Sequence, residues 1–460
     1  MLRTLIKWSH PSQNSQDNQD SYTSDQKNYE DAILNLLRSS PDAASFDRLY
    51  YNVDEDTLLN SVSWSGDITD LRKKFLAATT PGDWKGLDSY IDVVDGTTSS
   101  GRNHIEFLVD GAKVMPKAIA AIKGAKSSIN VEVYQLEGDD VGWAFTKLLA
   151  LKAKEGVQVR LVIDKYGSNM KNVQEVGKML AYLNQNGGEA IPNKASLTGR
   201  RDHRKVMVID GRTGFTGGMN VGRDYQYNWH DQQSLIEGPA VAKLQEAFLA
   251  NWAAAGGKAP SSYAELFPPL SEPADGVPTR VMTHWGQKDR DLKAVFLRAF
   301  ATAQRSIRIA DPYLTDPDVV DTLCAAARRG VKVQIVMPKD NDIAIVQHAA
   351  RGYYPKLLKA GVEIYEYRGR MAHEKVAVLD TYWSTFGSSN LDARSLWYND
   401  ELNVAATDPN LASYIEASLF DKDIENSDHI TSYSPGIEDH AADIFHGLLT
   451  PETTQAGALK

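Results

Sequence analysis

Two short stretches of this chain carry the same polar residues at the same spacing. HRKVMVIDGRTGFTGGMN runs from 203 to 220, and HEKVAVLDTYWSTFGSSN runs from 373 to 390. His203 answers to His373, Lys205 to Lys375, Asp210 to Asp380, and Asn220 to Asn390, each pair 170 residues apart. The register continues to Asp231 and Glu401, so a carboxylate follows each histidine at one distance. A His and a Lys two apart on a strand point to the same face. One HxK pair means little; two matched at every polar position mark an internal duplication.

If the copies face each other, the set suits a phosphodiester. Two ammonium groups and two carboxamides donate to the anion, together with turn donors at Gly218 and Ser388. One neutral imidazole can attack phosphorus while the other, protonated, delivers a proton to the leaving oxygen. Asp231 and Glu401 would each hold one imidazole in a chosen tautomer. Lysine charge takes the place of a metal, so neither metal nor cofactor is expected. Asp210 and Asp380 follow the strand, away from the histidine end, and are assigned a structural role at a turn or at the interface rather than direct chemistry. Aromatics beside the motifs (Tyr225, Tyr227, Trp229, Trp383, Trp397, Tyr398) are candidates for a pocket, although core packing is the commoner use of such residues.

The elements that position these residues repeat as well. KAIAAIKGAKSSINVEVYQL matches KAVFLRAFATAQRSIRIADPYL, with Ile129 against Ile307. The next helix and strand align Gly156 with Gly330, and the third align Gly187 with Gly361. Each reads as a helix, a glycine stop and a β-branched strand. Apolar strands alternating with helices imply α/β layers. The expected fold is two α/β sandwich halves related by a pseudo-twofold axis, each a mixed sheet flanked by helices, with the site at their interface. The expected segments are a polar, mobile tail at 1–28, a helical extension at 29–102, halves at 103–255 and 280–445, a connector at 256–279, and a tail at 446–460.

At 460 residues, with 42% hydrophobic and 24% charged residues, the chain has the composition of a soluble globular protein. No apolar run reaches the length of a bilayer span, and the first residues read poorly as a secretion signal. A single cysteine, Cys324, rules out an internal disulfide. The net charge of −10 weighs against a polynucleotide substrate. These features lead to an expected monomer, cytoplasmic or peripheral to a membrane.

Both motifs fit HxKx4Dx6GxxN, and the chain thereby resembles the phospholipase D superfamily over roughly residues 103 to 420. IEGPAV and HEKVAVLDTYWSTFGSSNLDARS look closest to bacterial phospholipases D and cardiolipin synthases. The resemblance implies a phosphohistidine on His203 and His373 as general acid, then base. It places Lys205, Lys375, Asn220 and Asn390 around the phosphate, and Asp231 and Glu401 as orienting carboxylates. The expected reaction is hydrolysis of the distal phosphodiester of a glycerophospholipid at a membrane or micelle surface, with transfer to alcohols in place of water. The alternative is a cardiolipin synthase-type phosphatidyltransferase; a nuclease of the superfamily ranks lower, and a relic scaffold lower still.

Overall fold

The computed structural model describes residues 79–193, 200–286, 291–436 and Asp439. The polar tail at 1–28, the helical segments expected before residue 79, and the tail at 446–460 lie outside the described residues. The first half contributes strands β1 (Arg102–Val109), β2 (Ser128–Val133), β3 (Gln158–Ile163), β4 (Glu189–Pro192), β5 (Lys205–Ile209), β6 (Thr213–Gly217) and β7 (Gln232–Glu237). The second repeats them as β8 (Val277–His284), β9 (Ser306–Ala310), β10 (Lys332–Pro338), β11 (Glu363–Tyr367), β12 (Val376–Leu379), β13 (Trp383–Gly387) and β14 (Glu401–Thr407). A further strand, β15 (Ser427–Ile430), pairs antiparallel with β11.

Outward from β1 the order is 7-6-5-2-3-4, and outward from β8 it is 14-13-12-9-10-11. The correspondence is strand for strand. Within each half the three βα strands are parallel and the motif hairpin joins them antiparallel. The halves do more than abut: β1 pairs with β8 through Arg102–Pro278 and Asn103–Val277, making one 15-stranded mixed sheet.

Packing follows from alternation along the strands. Val206 and Val208 of β5 face a core that also holds Val376 and Val378 of β12, together with Val241, Leu244, Ile415 and Leu419. Met207 and Ile209 face the opposite way, onto a core of the first half alone. One apolar body therefore spans both halves, which two independent sandwiches would not have. The expected glycine stops are at helix ends in the left-handed region, Gly156 at φ 91° and Gly330 at φ 93°, where a Cβ would be strained.

The helix Trp84–Val94, capped by Asp83 accepting from the Gly86 amide, covers the second half's helix Asp291–Thr302. Arg298 lies over the Tyr90 ring at 5.3 Å, and Arg280 Nη2 reaches Asp92 at 2.6 Å. Nearly every side chain of Asp291–Thr302 is buried as a result. Its counterpart in the first half, Gly111–Gly124, keeps a largely exposed outer face. No helix among the described residues is long and apolar enough to cross a membrane.

Candidate active site

Each motif opens with a bridge to the other half. Asp202 pairs with Asp400, and His230 with Ala372, two bridges that exchange under the 170-residue repeat. The His203 amide donates to Asp400 O at 2.9 Å, and the His373 amide to His230 O at 2.7 Å. The segment before each histidine is thus sewn to the segment before the other half's carboxylate.

Side-chain pairing is crossed in consequence. His203 Nδ1 lies 3.0 Å and 3.1 Å from the two carboxylate oxygens of Glu401, and His373 Nδ1 lies 2.8 Å from Asp231 Oδ2. Neither half holds a complete imidazole–carboxylate pair. With Nδ1 turned to a carboxylate, each ring keeps Nε2 for chemistry. Lys205 Nζ donates to His203 O at 2.5 Å, and Lys375 Nζ donates likewise to His373 O. The asparagines close the ends. Asn220 Nδ2 donates to the Tyr225 hydroxyl at 2.7 Å while its Oδ1 accepts the Gln135 amide at 3.0 Å; Asn390 Nδ2 donates to Ser395 Oγ at 3.3 Å.

Two expected phosphate donors are otherwise engaged. The Ser388 hydroxyl donates to Glu401 Oε2 at 2.5 Å, and the Gly218 amide donates to Gln232 O at 3.0 Å. Gly218 matters for space, since a Cβ there would overlap Asp231 Oδ1. These equivalent positions abut the two carboxylates. Asp210 and Asp380 lie at the far end of their strands in left-handed hairpin turns, at φ 53° and 54°. Asp210 accepts the amides of Lys126, Ser127 and Ser128; Asp380 accepts those of Gln304, Arg305 and Ser306. Each carboxylate fixes the chain entering β2 or β9.

Burial dominates the electrostatics. It pushes His203 and His373 well below the ordinary imidazole range, with the lysines adding to the effect. It lowers Lys205 to about 7 against the pull of Glu401, and Lys375 against that of Asp231 and Asp311. It raises Asp231 to about 7, opposed by Lys375, and raises Glu401, opposed by Lys205. An anion in the site would oppose part of this shift by favouring the charged lysines.

Several residues were not legible as site residues. Tyr134 stands edge-on to His203 at 4.7 Å, and Tyr313 to His373 at 6.3 Å with its hydroxyl on Asp342. They follow β2 and β9 in the chain, one position out of repeat register with each other, and their types do not stand out there. Of the candidate aromatics, Tyr225 and Trp229 pack against His373 at 5.6 Å and 5.0 Å. Tyr227 is exposed, and Trp383 is buried within β13. Trp397 lies under Lys293 at 4.7 Å.

One group of three among the described residues has metal-ligand types within reach: His230, Glu374 and Asp423. The His230 ring is already bonded, Nδ1 to Asp110 at 2.7 Å and Nε2 to Asp423 at 2.9 Å. Burial opposes its charge, but Glu374, Asp110 and Asp423 outweigh burial and hold its pKa well above the ordinary value. A protonated imidazole supplies the positive charge those carboxylates need.

Residues 118–252 and 296–424 match the family described as "Cardiolipin synthase, PLD-like domain". A probable cardiolipin synthase of Bacillus subtilis (strain 168) is 30% identical over 366 residues, covering 76% of this chain and 72% of that protein. A cardiolipin synthase of Alkalihalophilus pseudofirmus is 34% identical over 320 residues, covering 66% of this chain and 64% of the relative. One of Geobacillus kaustophilus is 34% identical over 307 residues, 64% of this chain and 61% of its own length. Among solved structures, a phosphatidylserine synthase of Haemophilus influenzae Rd KW20 superposes with a TM-score of 0.61 at 15% identity, covering 82% of this chain and 98% of that one. That likeness is one of fold.

Proposed function

Since the chain belongs to the phospholipase D-like family described for cardiolipin synthases, and is an enzyme of that type, we propose that it transfers a phosphatidyl group to the hydroxyl of a second phospholipid. The donor and acceptor are both phosphatidylglycerol, and the products are cardiolipin and glycerol. His203 Nε2 attacks phosphorus, the P–N bond forms, and the P–O bond to the leaving glycerol breaks as His373 gives that oxygen its proton. The acceptor hydroxyl then loses its proton to His373 as its oxygen displaces the His203 nitrogen.

The crossed pairs carry this reading. Glu401 accepts from Ser388 and from Asn399 at 3.3 Å besides facing His203; these hydrogen bonds favour its ionised form against the burial that raises its pKa, and an ionised Glu401 would raise the basicity of the nucleophile. Asp231 sits at about 7 and shares a proton with His373, which suits the acid–base partner. Tyr134, Tyr225, Trp229 and Tyr313 wall the two buried imidazoles, an enclosure that disfavours water relative to an alcohol carried on a lipid. The relatives' names favour the synthase over the lipid-degrading hydrolysis first expected, and lend it more support than a nuclease. Site roles, monomeric state and action at a lipid surface are parts of the same proposal.

The test is incubation of the full chain with phosphatidylglycerol vesicles, measuring cardiolipin, glycerol and phosphatidic acid. Cardiolipin and glycerol in equal amounts are expected. Phosphatidic acid as the main product, with ethanol in the mixture diverting it to phosphatidylethanol, would return the reading to a phospholipase D.

A further inference from the structure

The proposed chemistry leaves unexplained an apolar cleft in the first half. It lies between the helix Gly111–Gly124 and the helix Asp140–Lys154, and its volume is about 170 Å³. Val133 of β2, Met207 of β5 and Phe215 of β6 make the floor, with Met219 just beyond. Lys205 and Asn220 close its inner end, so the cleft and the proposed phosphate site share a wall. At the outer end it is edged by Ala144 and by Ile119, which is 40% exposed.

The fold does not force this cavity. At the equivalent positions of the second half Val133 is replaced by Asp311, Met207 by Ala377, Phe215 by Thr385 and Met219 by Ser389. All four are buried, and Asp311 accepts the amides of Tyr313 at 2.8 Å and Leu391 at 3.1 Å. The same layer thus carries polar or small side chains on one side of the site, and large apolar ones lining a cleft on the other. Alternation puts Lys205 and Met207 on one face of β5, so the lysine that would touch phosphate stands directly above the apolar floor.

We propose that this cleft seats the first part of one acyl chain of the donor phospholipid, which passes Lys205 and Asn220 and leaves between the two helices. The proposal rests on phosphatidyl transfer as the reaction. A dry apolar cavity of about 150 Å³ is filled by a six-carbon hydrocarbon. A cleft of this size therefore takes roughly six to eight carbons, and the rest of the chain continues past Ile119 toward the lipid.

A series of n-alkyl phosphates from butyl to dodecyl, each below its micelle concentration, tests this by calorimetric titration into the full chain. Binding of these probes needs no turnover. Affinity is expected to rise about two- to fourfold per methylene, from the transfer free energy of a CH₂, and to level off near eight carbons. Ala144→Phe, and separately Ala118→Phe, fill the cleft from helix faces that bear no part of the proposed machinery. Either variant should bind butyl phosphate as the wild type does and lose the gain with length. Unchanged melting temperatures confirm that the variants fold. A flat series in the wild type, or the same slope in both variants, overturns the acyl seat. The two readings separate cleanly. Chain-length gain without cardiolipin or phosphatidic acid from any phospholipid sinks the transfer reaction and keeps the cleft. Transfer with a flat series does the reverse.

Discussion

His203 leans on a glutamate that is itself held by a serine; His373 leans on an aspartate that fits only because its neighbour is glycine. The two motifs are alike in their donors and unlike in the residues that support the carboxylates and line the lysines. Lys205 stands over an apolar floor, whereas Lys375 has buried Asp311 nearby. Duplication delivers two imidazoles on an axis, but a transfer reaction needs one to attack and one to move protons. The divergence lies in the supports: Ser388 against Gly218, Glu401 against Asp231, Asp311 against Val133. Symmetry of the motif with asymmetry of its supports is what the proposed division of roles requires.

The most damaging test removes each imidazole. His203→Ala should abolish transfer, by at least about 10⁴-fold, because no nucleophile remains. His373→Ala should cost about 10²- to 10⁴-fold with a glycerol leaving group and far less with a nitrophenolate, which needs no proton. Enzyme incubated with ³²P-labelled donor and quenched in alkaline detergent, which spares the acid-labile P–N bond, should carry label on His203 only. Label on His373 in the His203→Ala protein would exchange the roles.

The next test strikes the crossing itself. Asp231→Asn leaves His203 its Glu401 and deprives His373, which stands 142 residues away in the other half. The loss, about 10²- to 10³-fold by analogy with other carboxylate–imidazole pairs, should therefore depend on the leaving group, as in His373→Ala. Glu401→Gln should slow all leaving groups alike. If Asp231→Asn shows no leaving-group dependence and Glu401→Gln does, the pairing in solution runs within each half.

Smaller effects separate Ser388 from Gly218. A hydrogen bond to a charged group is worth about 1.5–3 kcal/mol, so Ser388→Ala should cost roughly ten- to a hundredfold in turnover, with KM little changed, since the hydroxyl serves Glu401. A rise in KM with turnover preserved would restore Ser388 to the phosphate. Gly218→Ala forces Asp231 aside and should resemble a mild Asp231→Asn.

The layers were legible in the sequence because repetition exposes them. Gly156 and Gly330 end helices as read, and strands such as SINVEV and VKVQIVMP lie where their β-branched runs lead. The sequence could not resolve the crossing. A constant offset makes Asp231 as good a partner for His203 as for His373, and only the interlocked bridges at Asp202–Asp400 and His230–Ala372 decide. Ser388 and Gly218 looked like turn donors because a carboxylate approaching from the neighbouring strand leaves no local trace. The helix Trp84–Val94 was assigned to an extension, having no repeat partner, yet it packs on the second half through Tyr90 and Asp92. The joint between β1 and β8 rests on backbone pairing at Arg102–Pro278 and Asn103–Val277, which side-chain periodicity does not report.

The last prediction concerns protons, and is read in binding rather than in turnover. Burial holds Lys205 at about 7, so near neutrality its ammonium is half populated; Asp231, raised to about 7, is half ionised. An anion in the site favours the protonated form of both. Binding therefore takes up protons, and affinity must fall as pH rises through 7, up to tenfold per unit for each group. Both imidazoles are held well below their ordinary range, so they are neutral across this window and contribute no slope. Sulfate is a suitable probe because it stays a dianion throughout. Its dissociation constant, measured by calorimetry from pH 6 to 9, should climb with a slope between one and two above pH 7. Lys205→Met should weaken binding at pH 6 and reduce the slope to at most one. Lys205→Met with Asp231→Asn should bind weakly and with little pH dependence. Full pH dependence in the Lys205→Met protein would place the titrating charge elsewhere, with Lys375 beside Asp311 the first residue to examine.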